Sequence, residues 1–215
     1  AAALDVPYWE TTHQQGHIRA ARAGLALPGG PFLAAHLSGG TTEIVLCDGD
    51  RLDLLMGTLD ISLGQLIDRA GVAMGLPFPA GPHLEQMALG GTQSARLSVR
   101  VGEGGISLSG AEAEVGRLLA SGEIPREDLA REVFSCAART LCKMLLRAAE
   151  KTGAKTALLA GGVAGSRLLR DMLEYRLSRA NAKLDIFWAD PALAGDNAVG
   201  VAMLGHDMLR REIGL

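Results

Sequence analysis

A short apolar run at residues 156–160, a glycine turn at 161–165, a helical period over 166–180, a second short run at 184–189 and a final helical period over 195–211 close this chain. Strands that alternate with helices pair in parallel, because each crossover helix packs back onto the sheet. The C-terminal end therefore predicts a βαβα layer, and the fold class is α/β.

The middle of the chain adds an antiparallel part. Residues 32–37 read as an apolar strand, Ser38-Gly39-Gly40 turns it into a second strand at 43–47, and Asp48-Gly49-Asp50 is a hairpin signal before a third strand at 51–56. Upstream, a short strand at 7–11 leads into a helix at 12–24, followed by a Pro/Gly loop at 28–31. Downstream, residues 61–75 form a helix with Leu63, Leu66, Ile67, Ala70 and Met74 on one face. The proline-rich stretch 77–82 breaks it, residues 83–89 form a short helix, 90–110 hold short strands and loops, and 112–120 are helical. The longest periodic segment is 125–151, with Pro125 suited to its first turn and Gly153 to its C-terminal cap.

The chain has 215 residues, enough for one large domain or two small ones, and 48% hydrophobic residues supply an ample core. A formal net charge of −3 argues against strong nucleic-acid binding by this chain alone. Three cysteines, Cys47, Cys136 and Cys142, cannot form a fully paired framework and read as reduced core thiols. With no apolar run of membrane-spanning length and no secretory pattern, the expected location is the cytoplasm, with no membrane contact. The opening Ala-Ala-Ala-Leu-Asp-Val-Pro reads as the end of a helix entering a strand, so a piece of a longer protein is expected.

Three features carry possible chemistry. His13 and His17 are four residues apart, on one helical face, where two imidazoles can grip one metal ion; two histidines on a solvated helix end fit the same spacing. Asp196 opens the last helix as an N-cap or as a carboxylate ligand, and the two roles are compatible. The turns Ser38-Gly39-Gly40-Thr41 and Gly161-Gly162-Val163-Ala164-Gly165-Ser166 are ordinary tight turns or places where backbone N–H groups approach a phosphate. The second lies between a strand and a helix, where α/β folds commonly bind ligands. Taken singly, Asp68, His83, Glu85 and His206 read as solvated side chains. There is no Ser-His-Asp order, no CxxC pair and no Walker lysine.

In this order, these stretches resemble the glycoprotease-named family whose characterised members are threonylcarbamoyl-transferases of tRNA modification. The family's His-x-x-x-His helix matches His13 to His17, and its Ser-Gly-Gly-x-Thr turn matches Ser38 to Thr42. Its Gly-Glu-Ala-Phe-Asp-Lys helix is altered to Gly64-Gln65-Leu66-Ile67-Asp68-Arg69, and its Tyr-Pro-Gly-Gly-Pro loop to Phe78-Pro79-Ala80-Gly81-Pro82, with Glu85 following. Phe-Ser-Gly is echoed by Leu108-Ser109-Gly110, the Gly-Gly-Val-x-x-Asn turn by Gly161 to Ser166, and the Thr-Asp-Asn helix by Gly195-Asp196-Asn197. The resemblance covers nearly the whole chain.

The resemblance implies an actin/hexokinase/Hsp70-type (ASKHA, ribonuclease H-like) fold, here one glycoprotease-like domain over 1–215 corresponding to the C-terminal two-thirds, without the N-terminal lobe and its Asp-Thr-Ser phosphate loop. It implies one divalent metal, iron or zinc, on His13, His17 and Asp196. His36 stands where archaeal-type members carry a metal-reaching tyrosine, which makes it a candidate fourth ligand. It further implies an adenine-nucleotide or acyl-adenylate pocket lined by Ser38, Gly39, Gly40, Thr41, Asp68, Gly81, Glu85, Gly161, Gly162 and Ser166. There Asp68 would accept ribose hydroxyls and Gly39 and Gly40 would approach phosphate.

The implied reaction moves threonylcarbamoyl from its adenylate to N6 of the tRNA adenosine 3′ of the anticodon; no residue is assigned as the catalytic one. Thr41 replaces the usual His or Asn and Ser166 the usual Asn, as in a divergent paralogue. A non-catalytic module that binds another ASKHA subunit, or itself, is the alternative. A metallopeptidase ranks last, since no glutamate accompanies the histidine pair. Any tRNA binding would draw on partners or on the absent lobe.

Overall fold

A computed structural model describes residues 8–92, 94–193 and 198–214. Its centre is a five-stranded mixed sheet in the order β3-β2-β1-β6-β7. Strands β1 (Phe32–Leu37), β2 (Thr42–Asp48) and β3 (Arg51–Gly57) form the expected antiparallel meander. Strands β6 (Thr156–Ala160) and β7 (Asp185–Trp188) continue it in parallel beside β1. A two-residue turn with Gly49 at φ +58° closes the β2–β3 hairpin.

The helices fall in chain order as α1 (His13–Ala21), α2 (Leu63–Ala73), α3 (Gly81–Leu89), α4 (Ser109–Ser121), α5 (Arg126–Thr152), α6 (Arg167–Arg179) and α7 (Ala198–Glu212). Between α3 and α4 a small hairpin joins β4 (Arg100–Val101) to β5 (Ile106–Ser107). Alternation along β1 sorts its side chains onto two faces. Leu33, Ala35 and Leu37 enter the main core with α2, α5 and α6, while Phe32 and Ala34 face a smaller cluster with Ala21 of α1. His36 has the same phase as Phe32 and Ala34, so it looks toward α1.

Most predicted elements stand where expected, with shifted ends. Residues 8–12 are not the predicted strand: Tyr8, Trp9 and Thr11 favour extended backbone, but no neighbouring strand pairs with them. The helix after them stops at Ala21, short of the predicted end at 24. The opening 1–7 and the predicted helix start at 195–197, Asp196 included, lie outside the described residues. All three cysteines are free and buried; burial pushes the Cys47 thiol up to about 12 and that of Cys136 to about 11. No helix among the described residues is long and apolar enough to cross a membrane.

Candidate functional site

Helix α1 is set by contacts at both ends. Thr12 Oγ1 accepts the N–H of Gln15 at 3.1 Å and Thr12 N–H donates to Gln15 Oε1 at 2.8 Å, a reciprocal cap that fixes the first turn. Gln15 Nε2 reaches the carbonyl of Asp50 in the β2–β3 hairpin at 3.1 Å. On the other side α7 crosses so closely that a Cβ on Gly200 would collide with the carbonyl of Gly16. Arg19 and Asp207 clamp the same pair of helices through two hydrogen bonds, 2.6 and 3.3 Å.

This places the two histidines. His13 Nε2 and His17 Nε2 stand 2.9 Å apart, with ring centroids at 4.4 Å and planes at 86°. The His36 ring, rising from β1, has its centroid 5.2 Å from that of His17. Burial, then the neighbouring His17 and His13, hold His36 below the ordinary imidazole range. Imidazole nitrogens are good ligands for divalent transition metals, and three imidazoles stand together here. The donor set thus suits a divalent transition metal. Among the described residues, no three His, Cys, Asp or Glu side chains form a ready coordination group, and the expected carboxylate, Asp196, lies outside them.

Glu43 was not singled out in the sequence, yet it pairs in register with His36 and lines the same narrow hollow as His17 and His36. Gln14 Nε2 donates to its carboxylate at 3.2 Å. The signal was available: Glu43 shares the phase of Val45 and Cys47, which are buried against α1, and a carboxylate in an inward phase of a central strand demands a partner.

The two glycine turns meet at the ends of β1 and β6. In the first, Ser38 Oγ accepts the N–H of Thr41 at 3.0 Å, and Ser38 N–H donates to the Thr41 carbonyl at 2.9 Å. Gly39 and Gly40 are exposed, with nothing within 4 Å of where a Cβ would stand, so the outer side of the turn is open while the inner side of Gly39 packs on Gly64. The turn is fastened to the start of α2: Ser62 Oγ donates to the Gly39 carbonyl at 2.7 Å, and Leu63 N–H to Thr42 Oγ1 at 2.9 Å. Gly64 permits this contact, because its missing Cβ would stand 2.6 Å from Gly39 Cα. In the second turn Gly161 has φ +101°, and a side chain there would strike the Leu37 carbonyl.

The remaining predicted pocket residues are engaged in building the frame. Asp68 Oδ1 accepts the N–H groups of Ala80 and Gly81, at 2.8 and 3.0 Å, at the head of α3. Glu85 Oε1 accepts Leu168 N–H at 2.8 Å, and Ser166 Oγ accepts Leu169 N–H at 3.1 Å, so both cap α6. His83 and His206 are exposed, as the sequence suggested.

Comparison with known proteins places this geometry. The family model described as TsaD, tRNA N6-adenosine threonylcarbamoyltransferase, matches residues 1–203. The tRNA N6-adenosine threonylcarbamoyltransferase of Variovorax paradoxus is 31% identical over 211 residues, covering 94% of this chain and 59% of that protein. The protein of the same description from Thermus thermophilus is 33% identical over 207 residues, covering 94% of this chain and 61% of its own length. The chain thus spans about three-fifths of these two relatives. Among solved structures, HypF of T. kodakarensis superposes with a TM-score of 0.76 at 17% identity, over 98% of this chain and 38% of that one. The fold is of the ASKHA type.

Proposed function

Since the chain belongs to the tRNA N6-adenosine threonylcarbamoyltransferase family, we propose that it is the metal- and nucleotide-holding part of a cytoplasmic threonylcarbamoyl-transferase. One observation carries the reading: β1 joins the two halves of the site. His36 lies beside His17 at 5.2 Å, and two residues later β1 passes into the turn that exposes Gly39 and Gly40. A metal grip and a phosphate-accessible turn are thereby held on one rigid strand end.

In this reading His13, His17 and Asp196 hold one divalent metal, iron or zinc, and His36 adds a further imidazole. When bound, the metal supplies a Lewis acid that orients and polarises the acyl donor. The N–H groups of Gly39, Gly40 and the 161–162 turn approach the phosphate of a threonylcarbamoyl adenylate. Asp68, Gly81, Glu85 and Ser166 hold the wall behind the nucleotide. Attack by N6 of the tRNA adenosine on the carbamoyl carbon forms the new C–N bond. The bond from that carbon to the phosphate oxygen breaks, AMP leaves with the electron pair, and the proton that N6 loses passes to solvent. The substrate tRNA is shared with a partner, another ASKHA-fold subunit or a second copy of this chain.

A second reading, a non-catalytic partner module, draws support from Asp68, Glu85 and Ser166. Their engagement in helix capping gives a reason to retain them without a nucleotide.

Elemental mass spectrometry on this chain and on His17→Ala, both purified without a metal-affinity tag, separates the two. Near-stoichiometric iron or zinc that disappears in the variant is the expected result. No metal in either protein, even after anaerobic loading, would refute the transferase reading and leave the partner module.

A further inference from the structure

Helix α5 is buried almost throughout its middle and then emerges. Beyond Cys142 its outer face carries Lys143, Arg147 and Lys151, all exposed and each four residues from the last. That spacing keeps the three cations on one stripe with a rise of about 6 Å per step. The step is comparable with the separation of successive phosphates along one nucleic-acid strand.

The stripe forms one bank of a groove, and the β4–β5 hairpin, carrying exposed Arg100, forms the other. Two hollows that share Gly102 and Arg147 run along it, floored by Val99, Leu146 and Met56. Arg147 Nη1 donates to the Val101 carbonyl at 2.6 Å and holds hairpin and helix together. Elsewhere Arg19, Arg69, Arg139 and Arg211 each face a carboxylate. Among the described residues, none of Arg100, Lys143, Arg147 and Lys151 is ion-paired. The carboxylates nearby are Glu103, which lines the groove, and Glu150, the helix neighbour of Lys151. In a chain of formal net charge −3, this is a local concentration of positive charge.

We propose that this groove is a docking track for the phosphate backbone of the tRNA substrate, an inference that rests on the transferase reading above. The anticodon loop must enter a site at the ends of β1 and β6, while the rest of so large a substrate lies over the surface. A regular row of unpaired cations along a shallow apolar floor suits a strand of sugar-phosphate, whose charges repeat. Net charge alone hid the groove, because binding depends on where the cations stand.

The test is fluorescence anisotropy of a labelled, unmodified tRNA with adenosine 3′ of its anticodon, titrated with the chain between 50 and 200 mM salt, on the order of the range where counterion release dominates. Three variants accompany it: K143Q/K151Q, which leaves the Arg147–Val101 bond in place; K143E/R147E/K151E; and the control R179E/K183E on another surface. Groove variants are expected to bind about tenfold more weakly. Their slopes of log K against log salt should be shallower by about one for each cation removed, with the control unchanged. Equal tRNA affinity in wild type and both groove variants overturns the proposal. So does a wild-type chain that binds polyglutamate as tightly as tRNA, which marks an acidic protein as the occupant. Metal content measured on the same samples reads the transferase site separately: metal-free protein with groove-dependent tRNA binding refutes that site and leaves the groove.

Discussion

The two faces of the central sheet are built to different standards. On one, α2, α5 and α6 bury a continuous core in which Phe134, Leu129 and Leu141 are all but inaccessible. On the other, α1 packs over a small cluster of Ala21, Phe32, Ala34, Val45, Cys47, Leu158 and Ala189, and α7 in turn packs against α1. Helix α7 buries only Gly200 among its described residues and leaves Val199, Val201 and Leu209 exposed. The histidines stand on the thin face. The main core and the candidate metal grip therefore lie on opposite sides of one sheet, and substitutions should separate them.

The largest effect belongs to the thick face. Phe134→Ala empties a fully enclosed site and should cost about 3–5 kcal/mol in urea unfolding. Under native conditions the metal-to-protein ratio of the folded fraction should not change. A loss of metal at full stability would break the comparison.

Glu132→Gln is next. Glu132 is fully buried and bonds Arg139 at 2.6 Å and Leu97 N–H at 2.7 Å, while Arg176 shares Ser135 Oγ with Arg139. Removing its charge leaves the buried Arg139 guanidinium without its carboxylate and should cost about 3 kcal/mol, read from the same unfolding curves.

On the thin face the order of effects should reverse. Gly200→Ala drives a methyl into the Gly16 carbonyl and separates α1 from α7, costing about 1–3 kcal/mol. Metal content should fall more sharply than stability. A variant that keeps its metal while losing stability would show that α7 does not set the histidines.

The smallest effect is acid sensitivity at an exposed carboxylate. Burial alone would raise the pKa of Asp60, but hydrogen bonds from Leu108 N–H, the hydroxyls of Ser109 and Ser107 and Ile61 N–H outweigh it and hold the group well below the usual range. A depressed folded pKa adds stability that is fully present above an unfolded value of about 3.9 and is lost as pH falls below it. Asp60→Asn should therefore flatten the acid limb of thermal unfolding below about pH 4 and leave it unchanged in form near neutrality. An unaltered acid limb would place the acid-sensitive contacts elsewhere.

Much of this was readable from local pattern. The meander and the βαβα end follow from alternation and turn chemistry, which need only neighbouring residues. The His13–His17 face follows from helical spacing. The approach of His36 follows once β1 is phased by Phe32 and Ala34. What escaped was set at long range. Asp68 and Glu85 read as solvated or as ligand contacts because the backbone groups they cap lie 12 and 83 residues away. Gly64 explains itself only when the Ser38–Gly39 turn is seen against it. The strand expected over 7–11 failed across its described part for the converse reason: local preference was present, and a partner strand was not.

The caps at the site have a further consequence. The 38–42 turn is tied to α2 by Ser62 and Leu63, α2 to α3 by Asp68, α3 to α6 by Glu85, and α6 runs back into the 161–165 turn, whose Gly161 rests on Leu37. These links form a closed mechanical circuit through the two glycine turns. In such a circuit neither turn can lift alone, so the amides of Thr41 and Leu168, far apart in the chain, should exchange with solvent through one shared opening.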